Sequence, residues 1–314
     1  MKRVFSVLII VAMLLTGVAA FAADYPTGQI SMILGASPGG LSDTTARTIG
    51  AIVSEKLGVP VVYTNKPGAS HAVAMSYVQA SKPDGYTIGF VPVEMCMVES
   101  LGFATDLNPS SFEMINTAFV SAAAVAVPAS APYNTLEELF AWCKENPGQL
   151  DVGNSGTGSI WHVAAIQMAK ACGIEVNHIP YDGASDAVAN VMGGHIDCVT
   201  VSEMEVRAGV ESGDLKILAI MSDERSAFNP DVPTCKELGY DLTMASWGGF
   251  VVPKGTPEDV LAILREAFAE AVASDTWAET TQNNKYNVLN LGAEEFEAFA
   301  MDQYAIFQEV LGNL

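Results

Sequence analysis

The chain has 314 residues, half of them hydrophobic and only 16% charged, and its 15 Lys and Arg stand against 36 Asp and Glu for a formal net charge of −21. A chain this acidic repels nucleic acid and anionic lipid surfaces. Its five cysteines, Cys96, Cys143, Cys172, Cys198 and Cys235, are too few and too scattered for a disulfide scaffold.

Met1-Lys2-Arg3, an apolar run over 4–20 and the small-residue site Ala20-Phe21-Ala22 read as a secretory signal peptide over 1–22, cleaved after Ala22. The run is too short, and too poor in flanking charge, for a permanent anchor, and no Cys marks a lipid attachment point. Export to the periplasm is therefore expected. Loss of Lys2 and Arg3 takes the net charge from −21 to −23. In an oxidising compartment an odd cysteine count leaves at least one thiol unpaired; buried free thiols are expected for most, with one disulfide left open.

The mature chain of about 290 residues is long enough for roughly two domains. Short apolar runs alternate with amphipathic ones, which predicts α/β layers around a parallel sheet. A strand over 30–34 leads through Gly35-Ala36-Ser37-Pro38-Gly39-Gly40-Leu41-Ser42-Asp43 into a helix over 44–57, with Ser42 or Asp43 as its cap. Strands are predicted over 59–65, 86–91 and 117–127, with a helix over 73–80 between the first two. Thr135-Leu136-Glu137-Glu138 opens a further helix. Later strands fall at 175–179, 195–201, 215–221 and 246–253, and helices begin at Ser185, after Thr256-Pro257 and at Ala293.

The centre of the pattern is Gly153-Asn154-Ser155-Gly156-Thr157-Gly158-Ser159, a strand end and glycine turn running into a helix at Ile160. The first N–H groups of such a helix lack partners, and its dipole is positive there, so the turn is a seat for a carboxylate or phosphate without any Lys or Arg. The loop over 35–43 repeats the design. Two such loops suit a ligand with an anionic group at each end. Net charge alone, in contrast, favours a cationic ligand.

The ordered set Pro38-Gly39-Gly40-x-x-Asp43, Asn65-Lys66-Pro67-Gly68-Ala69, Pro83-Asp84-Gly85-Tyr86-Thr87 and Gly153-Asn154-Ser155-Gly156-Thr157-Gly158-Ser159-x-x-His162 resembles the tripartite tricarboxylate transporter solute-binding proteins, the Bug family. Pro180-Tyr181-x-Gly183, Gly193-Gly194-x-x-Asp197, Pro230-Asp231-Val232-Pro233-Thr234 and Trp247-x-Gly249 continue the pattern over nearly the whole mature chain. The resemblance implies a type II periplasmic binding protein, a Venus flytrap of two α/β domains with the ligand cleft between them. The domains would be 23–122 plus 246–314, and 123–245. It also implies a monomer that holds a small organic carboxylate, needs no cofactor, and docks on a permease with one large and one small membrane subunit. The chain departs from the pattern at Leu34-Gly35-Ala36-Ser37, where relatives carry an aromatic residue, at Asp182, where they often carry Lys, and at Ser70-His71, where glycines are usual.

The expected ligand-binding residues are Ser37, Pro38, Gly39, Gly40 and Asp43 in the first loop, Ser155, Gly156, Thr157, Gly158, Ser159 and His162 in the central one, and Tyr181 and Glu203 beyond it. Plainer readings stand beside several of these. Ser159 is a natural helix cap, His162 a packed histidine under the loop, and Asp43 a partner for Arg47 one helical turn on. Glu94 and Glu203 each follow a strand end, where ligand crevices of open α/β sheets form, and either one facing the cleft would favour an amine-bearing ligand such as an amino acid. Two further alternatives stay open: an exported serine hydrolase using Ser155 or Ser159 with His162, and a sensory module. The central loop lacks the last Gly of a G-x-S-x-G elbow and the Lys of a P-loop, and no His pair has metal-binding spacing.

Overall fold

The computed structural model describes residues 25–36 and 38–312. The leader expected over 1–22, and Ser37, lie outside them. In the first half, β1 (Ile30–Leu34), α1 (Leu41–Leu57), β2 (Val61–Asn65), α2 (Ala72–Gln79) and β3 (Thr87–Pro92) form a parallel βαβαβ unit in which β1 lies between β2 and β3. In the second half, β5 (Leu150–Asn154), α4 (Ile160–Cys172), β6 (Val176–Pro180), α5 (Ala184–Met192) and β7 (Cys198–Ser202) repeat it, with β5 between β6 and β7.

Two long strands join the halves. β4 (Phe112–Pro128) pairs with β9 (Ala245–Pro253) through Ala122, and from Ala123 onward it pairs with β7 and with β8 (Leu215–Met221), all antiparallel. The path runs β2-β1-β3-β9-β4-β7-β5-β6. The sheet is thus mixed and not parallel throughout, because β4 and β9 run between the halves, while parallel pairs persist within each unit, where a helix returns the chain.

The remaining helices are α3 (Leu136–Glu145), α6 (Glu203–Ser212), α7 (Glu258–Val272), α8 (Asp275–Asn284) and α9 (Ala293–Gly312), with a short β10 (Asn287–Val288) on β4. α6 and α8 were not foreseen from the sequence. The period of two is visible in β1: Ile30, Met32 and Leu34 join a core with Ile49 and Val53 of α1 and Leu264 and Phe268 of α7. Ile33, on the other face, joins Met75 and Val78 of α2 in a core that continues into the second half.

All five cysteines are unpaired and buried. Burial pushes the Cys143 thiol up to about 11 and those of Cys172 and Cys235 to about 12, so little thiolate forms near neutrality. Native protein at pH 8 is therefore expected to resist a thiol-disulfide dye, with five thiols titrating after denaturation; fewer than five would indicate a disulfide.

Candidate functional site

A cleft of about 730 Å³ lies between the two βαβ units. The first half supplies Gly35, Ala36 and the start of α1, the β2–α2 loop over 67–71, and Glu94 just beyond β3. The second half supplies the β5–α4 loop, the β6–α5 loop over 181–186, and Glu205 of α6. Each contributing loop leaves the C-terminal end of a strand, where open α/β sheets form ligand crevices.

Helix N-termini converge there, and they differ in what satisfies them. α4 is capped: Ser159 Oγ accepts from the His162 N–H at 3.2 Å. The Ile160 N–H donates to Glu94 Oε1 at 3.3 Å, a bond that crosses from one half to the other. α6 is closed by a capping box between Ser202 and Glu205. In contrast, α1, α2 and α5 begin at Gly40, His71 and Gly183 without a side-chain cap. The N-terminal turns of α1 (Gly40, Leu41, Ser42) and α5 (Gly183, Ala184, Ser185) open on the cleft from opposite halves. Donors without partners and two positive dipole ends make each a seat for an anionic group.

The central glycine loop contributes differently from the expectation. Its Gly156 N–H donates to Asn154 Oδ1 at 3.0 Å and its Gly158 N–H to His162 Nδ1 at 3.2 Å, so these amides hold the turn together. Among the described residues, the Ser155 and Thr157 amides have no partner, and both residues line the cleft. Gly156 has φ +113°, open to glycine but strained for other residues.

Of the expected residues, Gly40, Ser155, Gly156, Thr157, Ser159 and Tyr181 line the cleft. Pro38, Gly39 and Gly158 are not among the lining residues, Pro38 and Gly39 being exposed and Gly158 buried, and Ser37 is not described. His162 stands under the loop with its ring edge-on to His178, 5.1 Å between centroids, as the packed-histidine reading has it. Its Nδ1 takes the Gly158 N–H and Ser159 Oγ takes a backbone N–H, so neither Ser155 nor Ser159 is paired with the imidazole as a hydrolase would require.

Asp43 does not cap α1. It is buried and ties the first loop: its carboxylate accepts from the Gly39 N–H at 2.9 Å, Arg47 Nε at 2.9 Å and Asn65 Nδ2 at 2.8 Å. Burial alone would raise its pKa, but these hydrogen bonds and the Arg47 charge pull it down to about 2 from an ordinary 3.8. The folded value is the lower one, so Asp43 stabilises the fold above about pH 4 and that contribution is lost as the pH falls toward 2. Urea midpoints should fall further between pH 4 and 2 in the wild type than in Asp43→Asn; equal losses would remove this role.

Glu203 is a correction. It does not reach the cleft, because α6 starts at Glu203, and its carboxylate accepts from Asn229 Nδ2 at 2.8 Å in a small separate pocket with Arg207, Phe228 and Lys285. Glu205, two residues on and about 200° around the helix, faces the cleft instead. Sequence reading also left out Trp161, Ser185 and the β2–α2 loop as cleft wall. In that loop Ala69, Ser70 and His71 have φ of 47°, 47° and 71°, left-handed conformations that glycine would adopt without strain. His71 sits so close to Gly35 that a Cβ there would lie 2.5 Å from its Nδ1.

The family model of the tripartite tricarboxylate transporter family receptors matches residues 45–313. This chain belongs to that family. BugT of Bordetella pertussis is 32% identical over 84% of this tripartite tricarboxylate receptor and 82% of BugT. A crystal structure of a TctC solute-binding protein from Polaromonas, without ligand, matches with TM-score 0.79 and 33% identity over 92% of this chain and all of that one. MatC from Rhodopseudomonas palustris, solved with bound malate, shares the fold at TM-score 0.81 and 21% identity, over 91% of this chain and all of MatC. The receptor is therefore a periplasmic-binding-protein fold of a solute-binding, non-enzymatic family. Among the described residues no group of three or more His, Cys, Asp or Glu could hold a metal ion, and no helix is long and apolar enough to cross a membrane.

Proposed function

We propose that this receptor is exported to the periplasm, with cleavage after Ala22, and captures a small organic carboxylate in the cleft. The observation that carries the reading is the pair of uncapped helix N-termini, α1 and α5, opening on one cleft from opposite halves. A carboxylate accepts charge-assisted hydrogen bonds from backbone N–H groups, and these gain strength as closure excludes water. Ser42 and Ser185 add hydroxyls, and Ser155 and Thr157 add amides and hydroxyls from the central loop.

The two lobes are 23–122 with 246–314, and 123–245, divided where β4 exchanges β9 for β7 and β8. Rotation about β4 and β9 would open and close the cleft, and the Glu94 to Ile160 bond would form only in the closed form. The loaded monomer would then deliver its ligand to a permease of one large and one small subunit. The malate held by MatC supports a carboxylate as the ligand class.

Titration calorimetry of the mature protein against aliphatic and hydroxylated carboxylates tests the reading. Saturable one-to-one binding without product is expected. Turnover of a carboxylic ester, or no carboxylate bound, would contradict it.

A further inference from the structure

The anion seats account for one end of a ligand and leave the opposite chemistry of the cleft unexplained. Four carboxylates line it, Glu94, Asp182, Asp186 and Glu205, and among the described lining residues there is no Lys or Arg. An all-anionic ligand would meet these acids in a chain whose overall charge is already −21. Two of the acids, Glu94 and Glu205, are close enough for the charge of one to act on the other. Glu94 is only 6% exposed, and its carboxylate accepts from the Ile160 N–H. Glu205 accepts from the Ser202 N–H and Oγ at 2.9 and 2.7 Å. Burial pushes the Glu205 carboxyl up, and the charge of Glu94 adds to the rise.

His71 provides a separate observation. His71 lines the same cleft, and its Nδ1 is buried against Gly35 without a hydrogen-bond partner. Burial lowers its pKa against the pull of Glu94, and a neutral imidazole carries one acceptor nitrogen. Two carboxylates and one imidazole nitrogen thus present acceptors to one region of the wall, while the α4 N-terminus beside them is already occupied by Glu94. An ammonium group has three N–H donors and no acceptor, which matches this set, and a cation between Glu94 and Glu205 would remove their mutual repulsion.

We propose that the ligand is a zwitterion, its ammonium group held by Glu94, Glu205 and His71 and its carboxylate by the N-termini of α1 and α5. This inference rests on the carboxylate reading above and narrows it from anions in general to amino acids or related amino carboxylates. Glu94 and Glu205 are then specificity-determining residues, and the Glu205 capping box serves to hold its carboxylate toward the ligand.

The test compares pairs matched in methylene count by titration calorimetry on the mature protein: succinate with β-alanine, and adipate with 5-aminopentanoate, with 1,4-diaminobutane as the doubly cationic control. One charge-assisted hydrogen-bond set should favour the amino acid of a pair over its diacid by about ten- to hundredfold. Glu94→Gln and Glu205→Gln should each reduce that preference, and the double variant should abolish it. Glutamine retains the capping-box geometry, so thermal unfolding is expected to change little. Diacids binding as well as or better than their amino partners would overturn the zwitterion and leave the carboxylate reading standing. The diamine binding more tightly than either would overturn the carboxylate reading and leave the cation site. Unchanged preference in both Gln variants would overturn the assignment to these residues.

Discussion

Gly156→Pro is expected to lower ligand affinity on the order of a hundredfold, close to 2.7 kcal/mol. Gly156 has φ +113°, which a proline ring held near −65° cannot adopt. Proline also removes the N–H that donates to Asn154 Oδ1, and any Cβ at this position would lie 3.2 Å from the Tyr181 carbonyl oxygen. The turn must therefore rebuild, which displaces the Ser155 and Thr157 groups from the cleft and separates the β5–α4 loop from the β6–α5 loop. Thr157→Val, which removes one hydroxyl and leaves the backbone in place, should cost about tenfold or less. Calorimetric titration separates the two, and circular dichroism with an unfolding curve shows whether the proline variant keeps its fold. Unchanged affinity in a folded Gly156→Pro protein would remove the central loop from the site.

Trp277→Ala should produce the largest loss of stability among single truncations outside the cleft. The side chain is fully buried on α8, packs 5.9 Å from the Tyr286 ring centroid, and its indole N–H donates to the Ala118 carbonyl at 3.0 Å. Removing it leaves a cavity in the core shared by α1, β4 and α7 and leaves the Ala118 carbonyl with the Leu289 N–H, at 3.3 Å, as its remaining donor. Together these are worth about 4–6 kcal/mol, of which the cavity and lost transfer contribute about 3–5. Ala118 lies on the part of β4 that pairs with β9, so the first half should loosen at lower urea than the second. A loss below about 1 kcal/mol would mean that α8 contributes little to that core.

How much of this was legible in the sequence depended on whether a local pattern settled the matter. The strand at 215–221 and the helix beginning at Ala293 were read to their starting residues because period and punctuation agree there. α6 was not read, since Glu203-Met204-Glu205-Val206-Arg207-Ala208-Gly209 places few apolar residues on one face. That omission misplaced Glu203: treated as a loop residue past a strand it could face the crevice, whereas as the first residue of a helix it points toward Asn229 and yields the cleft to Glu205. The antiparallel course of β4 and β9 was equally hidden, because direction is set by where a strand's neighbours come from and not by its own residues. The central turn was recognised as a turn, but the occupation of its helix N-terminus by Glu94, 66 residues earlier, is a long-range contact no local pattern reports. The bland readings of Ser159 as cap and His162 as packed histidine describe the structure better than direct contact by His162 does.

The claim that this receptor captures a small carboxylate is tested most directly by native mass spectrometry of the gently purified mature protein, with the released molecule identified after denaturation. The account predicts one small carboxylate per chain, carrying an amine, absent from the Gly156→Pro variant. A wild-type protein that carries no small molecule, and that no organic carboxylate stabilises against heat, would contradict it.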